Sequence, residues 1–376
     1  MRLIVLGAGK MGRAIAADLV RAKGAGAVEV VDADPGRARA LGESLGVRHA
    51  AIDLRDHEAV SRLLEGATAA VSAADYSLNE ALTRIAIETR THLCDLGGNI
   101  HVVGRQLAMS PRAEAAGVTV VPDCGLAPGL ACLLAWRGVE LVEDARRVRI
   151  RVGGLPAHPK PPLDYSLVFS VRGLTNEYLE PSEVLRDGEV LRLESLTEVE
   201  RLSFPAPYGE LEAFLTSGGA STLVRTLAGR VRDLDYKTIR YPGHAHIVKA
   251  MIDLGFLSEA PVEVGGRPIV PRQVTEALFE RALDHGDDDV VLVRVTVEGA
   301  SSRVAYQIID RKDPATGHSA MMRTTGYPAS IIALFLADGR ITRRGVVTGE
   351  LSVPVDAMIE ELGKRGVRIE MTREPI

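Results

Sequence analysis

The amino-terminal segment joins a short apolar strand to a glycine-rich turn, and this junction constrains the fold more than any other feature. Residues 3–6 are apolar and lead directly into the pattern G-x-G-x-x-G, formed by Gly7, Gly9 and Gly12. A helical stretch over residues 13–21 follows. In that context Gly7 permits a tight turn, Gly9 lets the backbone approach a pyrophosphate, and Gly12 lets the helix pack on the strand. The segment therefore predicts a dinucleotide cofactor, with the helix amino terminus facing its phosphates.

An acidic residue follows the second predicted strand. Residues 28–31 are apolar-rich and end at Asp32, about 20 residues beyond Gly12, where a dinucleotide fold places the acid that binds the adenosine ribose. A carboxylate accepts hydrogen bonds from ribose hydroxyls and repels the 2′-phosphate of NADP, so Asp32 favours NAD. Arg37 and Arg39 follow closely and are possible partners for that phosphate, so NADP stays an alternative cofactor. An ordinary strand–turn–helix with a capping acid is the alternative to a cofactor site. The predicted cofactor-binding residues are Gly7, Gly9, Lys10, Met11, Gly12, Asp32, Asp53, Ala73 and Gly97.

Length, charge and cysteine content narrow the class of protein. The chain has 376 residues, enough for two domains, and a net charge of −5, which disfavours nucleic acid or an anionic membrane as the principal partner. No apolar run approaches about 18 residues, and no cleavage-site pattern is present, so we expect a soluble, cytoplasmic protein. Cys94, Cys124 and Cys132 lack metal-ligand spacing. We therefore predict reduced thiols and no metal site.

The order of strand and helix patterns divides the chain into two parts. Up to about residue 124 they alternate, which predicts a Rossmann-type doubly wound parallel sheet. Beyond Gly129 the pattern becomes that of an α+β domain with a largely antiparallel sheet, including a hairpin near residue 300. We also expect a helix over 105–116, a helix over 328–337 with Pro328 in its first turn, and a helix over 356–364. The predicted strands are 3–6, 28–31, 48–52, 69–72, 92–95, 119–121, 147–152, 168–171, 237–240, 262–264, 290–297 and 304–309.

Polar side chains follow the central strands of the predicted parallel sheet. Ligands of such sheets meet the carboxyl ends of the strands. Tyr76, Asp95 and Asp123 come after the fourth, fifth and sixth strands, respectively, and are therefore candidates for chemistry. The neighbouring glycines, such as Gly97 and Gly98, suit either close approach to a flat ligand or simple tight turns.

One strand and turn of the second part carries three basic side chains. Lys237 and Arg240 fall on opposite faces of the predicted strand, so they do not act on the same atom. An arginine fork is a natural partner for a substrate carboxylate, although a salt-bridged strand residue is the alternative for Arg240. His244 follows in the turn and is either functional or an ordinary turn histidine.

Five motifs occur in order along the chain. They are GAGKMG at 7–12, DLGG at 95–98, PDCGLAPG at 122–129, TSGG at 216–219 and YKTIRYPGH at 236–244. Together they resemble the saccharopine dehydrogenase family, and within it the lysine 6-dehydrogenases, and the resemblance covers essentially the whole chain. It implies NAD-dependent oxidation of the ε-amine of L-lysine to 2-aminoadipate 6-semialdehyde, which cyclises to piperideine-6-carboxylate, with release of ammonia.

Roles for individual residues follow from the implied reaction. Hydride transfer from an amine needs a neutral nitrogen, so a base must accept a proton from the ε-ammonium, whose pKa is near 10.4. Candidates for that base are Asp95 and His244, followed by Asp123 and Tyr76. The α-carboxylate of the substrate is assigned to Arg240, with Lys237 and Arg225 as further candidates. Its α-ammonium is assigned to Asp164 and Tyr165.

Alternatives and assembly also follow from the resemblance. The competing activities are saccharopine formation or cleavage and oxidation of another amino acid or diamine, such as ornithine. A non-catalytic sensor of NAD and a metabolite is a third possibility.

We expect a homodimer or homotetramer, with the strands between 290 and 309 pairing between subunits. The expected domains are 1–128 with 325–376 for the dinucleotide, and 129–324 for substrate and oligomerisation.

Overall fold

The chain folds as two units. The computed structural model describes residues 1–286 and 288–376. Unit 1 comprises Met1–Arg137, Ser221–Leu223 and Met322–Ile369, and unit 2 comprises Gly138–Ala220, Val224–Met321 and Glu370–Ile376. The division differs from the expected one mainly at residues 129–137, which belong to unit 1, and at the final residues from 370, which belong to unit 2.

Unit 1 contains the parallel sheet. Its strands are β1 (Leu3–Leu6), β2 (Val28–Asp32), β3 (Arg48–Ala51), β4 (Ala69–Ser72), β5 (His92–Asp95), β6 (Thr119–Val121) and β17 (Gly345–Val346). They lie in the order β17-β6-β5-β4-β1-β2-β3, and every neighbouring pair is parallel. The strand order reverses beside β1, so the carboxyl ends of β1, β2 and β4 meet at the switch point where such sheets bind ligands. The predicted Rossmann-type sheet is confirmed.

Helices connect these strands, and polar side chains determine where several of them begin. Asp34 accepts hydrogen bonds from the backbone of Gly36 and Arg37 at the start of helix α2 (Pro35–Leu45). The Asn99 side chain caps the start of helix α5 (Ile100–Leu107) in the same way. Capping therefore places helix starts directly after strand ends. The helices whose residues lie wholly or mostly in unit 1 are α1 (Lys10–Lys23), α2 (Pro35–Leu45), α3 (His57–Leu64), α4 (Asn79–Glu88), α5 (Ile100–Leu107), α6 (Ser110–Ala116), α7 (Leu130–Leu141), α12 (Ala320–Ala337), α13 (Gly349–Ser352) and α14 (Val355–Lys364).

Unit 2 contains a larger, mostly antiparallel sheet. Its strands are β7 (Arg147–Pro156), β8 (Ser182–Arg186), β9 (Glu189–Leu193), β10 (Glu200–Phe204), β11 (Gly209–Leu215), β12 (Asp233–Arg240), β15 (Asp289–Glu298), β16 (Ser302–Arg311) and β18 (Glu370–Pro375), with a separate hairpin of β13 (Val262–Val264) and β14 (Arg267–Ile269). The main path of the sheet runs β10-β11-β12-β7-β15-β16-β18, and β8 joins β12 to β9. The remaining helices are α8 (Val171–Leu179), α9 (Leu223–Thr226), α10 (His244–Asp253) and α11 (Pro271–Ala282).

The hairpin predicted near residue 300 is confirmed, but its outer edge is covered. Strands β15 and β16 pair antiparallel, with Val290 opposite Arg311. Strand β18 then pairs with β16 along the other side. The edge of this sheet is thus β18, whose residues are all exposed, and both strands of the 290–309 region lie inside the sheet. Pairing of that region between subunits stays a prediction.

Three secondary-structure predictions are wrong. Residues 168–171 form no strand, because the hydroxyl of Ser170 accepts a hydrogen bond from the Gly173 backbone and starts helix α8. The stretch 105–116 contains two helices, since Pro111 favours a new helix start. Pro328 lies inside α12 rather than in its first turn. Dense burial along that helix offsets the hydrogen bond that proline removes.

Among the helices of the described ranges, none is long and apolar enough to cross a membrane.

Candidate active site

Two glycines of the amino-terminal loop are required by the fold itself. Gly7 has φ +110°, and a Cβ there would lie 2.8 Å from the carbonyl oxygen of Ala73. A Cβ on Gly12 would lie 1.9 Å from the carbonyl oxygen of Gly7. Ala73, at the end of β4, in turn donates its backbone N–H to Leu6 at 2.8 Å. The loop, the first helix and the fourth strand are therefore in close contact, and side chains on these glycines would separate them.

Gly9 differs, because no described part of the protein requires it to be glycine. Its φ of −73° suits any residue, and a Cβ built there meets no described atom within 4 Å. The missing side chain leaves an open cradle beside the amino terminus of α1, where exposed Lys10 and half-buried Met11 begin the helix. This cradle fits the pyrophosphate of a dinucleotide, which needs close approach of the backbone and unpaired N–H groups.

Asp32 is held firmly at the end of β2. Its Oδ2 accepts a hydrogen bond from the Ala8 backbone at 2.8 Å, and its Oδ1 accepts one from the Asp34 backbone at 2.9 Å. The Arg37 guanidinium lies 3.1 Å from Oδ1. Each carboxylate oxygen offers two lone pairs, so Asp32 retains capacity for ribose hydroxyls. Arg37 is mostly exposed and offsets part of the negative charge.

Asp53, the remaining acid of the predicted cofactor set, follows the outer strand β3. Its carboxylate is exposed and pairs with Arg55, with 2.7 Å between Oδ2 and Nη2. Hydrogen bonds from the Arg55 side chain and backbone lower the pKa of Asp53 to about 2. This carboxylate therefore stays charged and already has a partner.

Asp95 connects the fifth strand to the loop that follows it. The side chain is completely buried, its Oδ1 accepts the Gly97 N–H at 2.8 Å, and its Oδ2 accepts the Gln106 amide at 2.7 Å. Burial raises the pKa of Asp95, and these hydrogen bonds counteract the rise. Both carboxylate oxygens of Asp95 are therefore occupied, and they hold the loop that follows β5 in place.

Asp123 is a carboxyl group that can exchange a proton near neutral pH. It has φ +60°, and its Oδ2 accepts a short hydrogen bond from the Ser221 hydroxyl. Its Oδ1 is buried and has no hydrogen-bond partner among the residues that the structure describes. Burial raises the pKa of Asp123 to about 7, and the charges of Asp95 and Glu350 add to the rise against the Ser221 hydrogen bond.

Gly97 makes room for that carboxyl group. A Cβ on Gly97, which has φ +72°, would lie 1.8 Å from Oδ1 of Asp123. Tyr76 stands on a short 3₁₀ turn and is half-buried, and a Cβ on Gly98 would lie 3.3 Å from its ring. The predicted candidates Tyr76, Asp95, Gly97 and Asp123 thus belong to one cluster at the ends of β4, β5 and β6.

A small pocket opens beside Asp123 within unit 1. Glu350 lies in its wall and accepts a hydrogen bond from the Thr222 hydroxyl at 2.9 Å. Cys132 also borders it, and burial raises the pKa of that thiol, so the thiol stays protonated. The lining residues are Asp123, Pro128, Gly129, Cys132, Leu133, Ser221, Thr222, Ile332, Gly349 and Glu350.

Arg240 forms the centre of a second cluster, which lies in unit 2. Only 3% of the residue is exposed, and its guanidinium carbon lies 4.6 Å from the centre of the Tyr165 ring. Nη1 donates to the Ile239 carbonyl at 3.0 Å, while Nε is buried without a hydrogen-bond partner in the described parts of the chain. Since arginine remains charged in proteins, this is a buried cation with an unused donor.

His244 is neutral and orients a tyrosine. Its Nδ1 lies 3.0 Å from the Leu163 carbonyl, which can only accept, so Nδ1 carries the proton. Nε2 therefore accepts the hydroxyl of Tyr178 at 2.9 Å. Burial and the charge of Arg240 lower the pKa of His244 to about 3, against the Leu163 hydrogen bond. The geometry gives His244 a positioning role beside Arg240, because both ring nitrogens are engaged.

The other predicted substrate residues lie apart from Arg240 or have protein partners. Lys237 points to the opposite face of β12, where its Nζ lies 3.0 Å from Glu200. Arg225 pairs with Glu183 at 3.0 Å. Asp164 is half-buried in a loop with φ +48°, directly before Tyr165.

Sequence reasoning missed two residues of this cluster, Glu177 and Tyr178. Both belong to α8, whose start was misinterpreted as a strand. The available signal was Ser170, a good helix cap ahead of an apolar-periodic stretch.

The glycine loop, the acid after β2 and the parallel sheet define unit 1 as a dinucleotide-binding domain. The sequence matches two family models, described as "Saccharopine dehydrogenase NADP binding domain" over residues 3–121 and "Saccharopine dehydrogenase C-terminal domain" over residues 125–367. The chain belongs to the saccharopine dehydrogenase family, and it is an oxidoreductase of that family with an NAD(P)-binding domain. The family prediction is confirmed.

Individual relatives agree with this placement. The saccharopine dehydrogenase [NADP(+), L-glutamate-forming] of Saccharomyces cerevisiae is 26% identical over 62% of this chain and 53% of its own length. The enzyme of the same name from Pyricularia oryzae is 22% identical over 86% of this chain and 88% of its own length. The match thus spans about half of the yeast relative and most of the second.

Two solved structures share the fold. The apo saccharopine dehydrogenase (L-Glu forming) from S. cerevisiae superposes with a TM-score of 0.81 at 20% identity, covering 99% of both chains. The homospermidine synthase of Legionella pneumophila, in complex with NAD, has a TM-score of 0.72 at 14% identity and covers 99% of this chain and 91% of its own.

Proposed function

We propose that the protein oxidises the ε-amine of L-lysine with NAD, giving 2-aminoadipate 6-semialdehyde and ammonia. Asp32 is the observation that carries the proposal. The named saccharopine dehydrogenase relatives use NADP(+), whereas a buried carboxylate at the end of β2 repels a 2′-phosphate and favours NAD. A preference for NAD therefore matches oxidation of the free ε-amine better than it matches the NADP-linked reaction of those relatives.

Arg240 supports an amino-acid substrate. It is a buried cation whose Nε donor has no partner among the described residues, and a carboxylate would satisfy both needs. The aromatic face of Tyr165 holds the guanidinium in place. We therefore assign the substrate α-carboxylate to Arg240, in preference to Lys237 and Arg225, which are paired with glutamates.

Asp123 is the proton acceptor in this proposal. Amine oxidation requires loss of a proton from the ε-ammonium before the C–H bond can break, and water then replaces nitrogen at that carbon. A bound nicotinamide supplies the hydride acceptor. Asp123, with a pKa of about 7, can receive the proton of the ammonium at neutral pH. Asp95 uses both oxygens to hold the loop, and His244 is engaged at both nitrogens.

The proposal is tested by turnover with matched substrates. NADH formation and ammonia release are measured with NAD and L-lysine, beside L-ornithine and saccharopine, and each again with NADP. Lysine-dependent NADH with equal ammonia is the expected result. Dinucleotide binding without turnover of any substrate would contradict an enzymatic role.

The second candidate is a saccharopine-forming or saccharopine-cleaving activity. Two observations favour it: the activity in the relatives' names, and Arg37, which lies beside Asp32 and could meet a 2′-phosphate. Turnover of saccharopine without turnover of L-lysine would establish this candidate in place of lysine oxidation.

A further inference from the structure

Two consecutive hydroxyl side chains contact the two acids that line the pocket of unit 1. The Ser221 hydroxyl donates a short hydrogen bond to Oδ2 of Asp123, which lies 98 residues earlier in the chain. The Thr222 hydroxyl donates to the Glu350 carboxylate at 2.9 Å. The segment Ser221–Leu223 belongs to unit 1, although the residues on either side of it belong to unit 2. A three-residue segment thus brings a hydroxyl group to each acid of this pocket.

The backbone on both sides of the hydrogen bond between Ser221 and Asp123 has an unfavourable conformation. Asp123 has φ +60° and Ser221 has φ +40°, in the left-handed region that residues other than glycine seldom adopt. Such conformations persist where the surrounding structure requires them, and they cluster at functional sites. The fold therefore keeps two costly backbone conformations where this hydroxyl meets this carboxyl group.

The surroundings of Asp123 disfavour its negative charge. Burial raises its pKa to about 7, and the charges of Asp95 at the end of β5 and Glu350 in α13 add to the rise. The hydrogen bond from Ser221 acts in the opposite direction and lowers the pKa. A hydroxyl that donates to a carboxylate stabilises the ionised form.

Other groups around Asp123 supply no compensating positive charge. The described residues that line the pocket include no lysine, arginine or histidine. The neighbouring thiols of Cys124 and Cys132 stay protonated, because burial raises the pKa of each. Oδ1 of Asp123 has no hydrogen-bond partner within residues 1–286 and 288–376. The ionised form of Asp123 therefore depends on the hydroxyl of Ser221.

We propose that Ser221 is a positioning residue, whose hydroxyl orients Asp123 and favours its ionised form, so that Asp123 can take up the proton of the substrate ammonium. The inference rests on the proton-accepting role of Asp123 in the proposed function and adds the residue that maintains it. The proton moves from the ammonium nitrogen to the carboxylate of Asp123, which leaves a neutral amine, and Ser221 keeps its own proton throughout.

The test follows the titration of Asp123 without turnover. Protein labelled with ¹³C at the aspartate carboxyl carbon is titrated by NMR as wild type and as Ser221→Gly, and the Asp123 signal is identified by its absence from Asp123→Asn. Glycine suits the positive φ of position 221, so this substitution removes the hydroxyl and retains the backbone conformation. We expect the midpoint of the Asp123 titration to rise by about one to two pH units, since a hydrogen bond to a charged group is lost.

Kinetics and a control variant accompany the titration. The decrease of kcat/KM for L-lysine at acidic pH should move to higher pH by the same amount in Ser221→Gly, a change that a purely structural role would not produce. Ser44→Ala is the matched control, because the Ser44 hydroxyl donates to the Leu41 carbonyl at 2.9 Å rather than to a carboxylate. It should leave both midpoints within about 0.3 pH unit of wild type.

The outcomes separate this inference from the proposed activity. A raised Asp123 midpoint in Ser221→Gly, without oxidation of lysine by wild type, would support the effect of Ser221 on Asp123 and refute the proposed reaction. Lysine oxidation by wild type, with an unchanged or lowered midpoint in Ser221→Gly, would overturn the inference and leave the reaction standing. Loss of the folded state in Ser221→Gly, followed by thermal unfolding, would also overturn it, since the hydroxyl would then act in folding.

Discussion

Replacing Gly9 by alanine should weaken dinucleotide binding while leaving the fold intact. A Cβ at this position meets no described atom within 4 Å, and the φ of −73° is ordinary for alanine. The expected change in the free energy of unfolding is within about 1 kcal/mol, because reduced freedom of the unfolded chain and poorer capping of α1 oppose each other. The methyl group would extend about 1.5 Å into the cradle. Overlap of that size costs about 1–3 kcal/mol, or about 5- to 150-fold in affinity.

Gly12 provides the matched control. A Cβ there would lie 1.9 Å from the Gly7 carbonyl oxygen, so Gly12→Ala must displace backbone and should lower the unfolding free energy by about 2 kcal/mol or more. NADH fluorescence titration gives the affinity of each variant, and chemical denaturation gives its stability. A folded Gly9→Ala protein that binds NADH within twofold of wild type would refute the assignment of the cradle to the pyrophosphate.

Three further predictions concern Asp32, Asp123 and His244. Asp32→Ser should raise the ratio of NADP to NAD use at least about tenfold, since it removes one charge and frees Arg37; an unchanged ratio in steady-state kinetics would argue against Asp32 as the selector. For wild type, kcat/KM should fall about tenfold per pH unit below pH 7, because Asp123 must be ionised to accept a proton. Asp123→Asn should lower kcat about 100-fold and abolish this decrease of kcat/KM at acidic pH. His244 has a folded-state pKa of about 3 against 6.5 when unfolded, so it binds protons preferentially in the unfolded chain. The contribution of neutral His244 to the free energy of unfolding is fully present above pH 6.5 and decreases below it, by about 2 kcal/mol at pH 5. The loss of stability between pH 8 and pH 5, measured by denaturation, should therefore be about 2 kcal/mol smaller in His244→Gln than in wild type. Equal losses in the two proteins would mean that the histidine is charged in the folded state.

Local patterns in the sequence were sufficient to predict the strands and the helix around the dinucleotide loop. The strand β1, the glycine loop and helix α1 follow one another without interruption, and their turn chemistry is a property of adjacent residues. Asp32 could be placed for the same reason, because the spacing from the loop to the end of β2 depends only on one strand–helix–strand unit. The hairpin of β15 and β16 was likewise readable from two apolar runs and a short turn.

Tertiary structure alone decided which polar residues are available for chemistry. Asp95 and Asp123 both stand at strand ends and look equivalent in the sequence. Gln106 and Gly97 nevertheless occupy the carboxylate of Asp95, whereas one oxygen of Asp123 has no hydrogen-bond partner among the described residues. Burial and the charge of Arg240 lower the pKa of His244, and Tyr178 and Leu163 engage its two ring nitrogens. Protonation state and free hydrogen-bonding capacity depend on burial and on partners distant in the chain, and periodicity carries no information about either. The sequence by itself therefore determined the family, the parallel sheet and the position of the dinucleotide loop. The burial of Asp123 and the position of Arg240 over the Tyr165 ring emerged only from the packed structure.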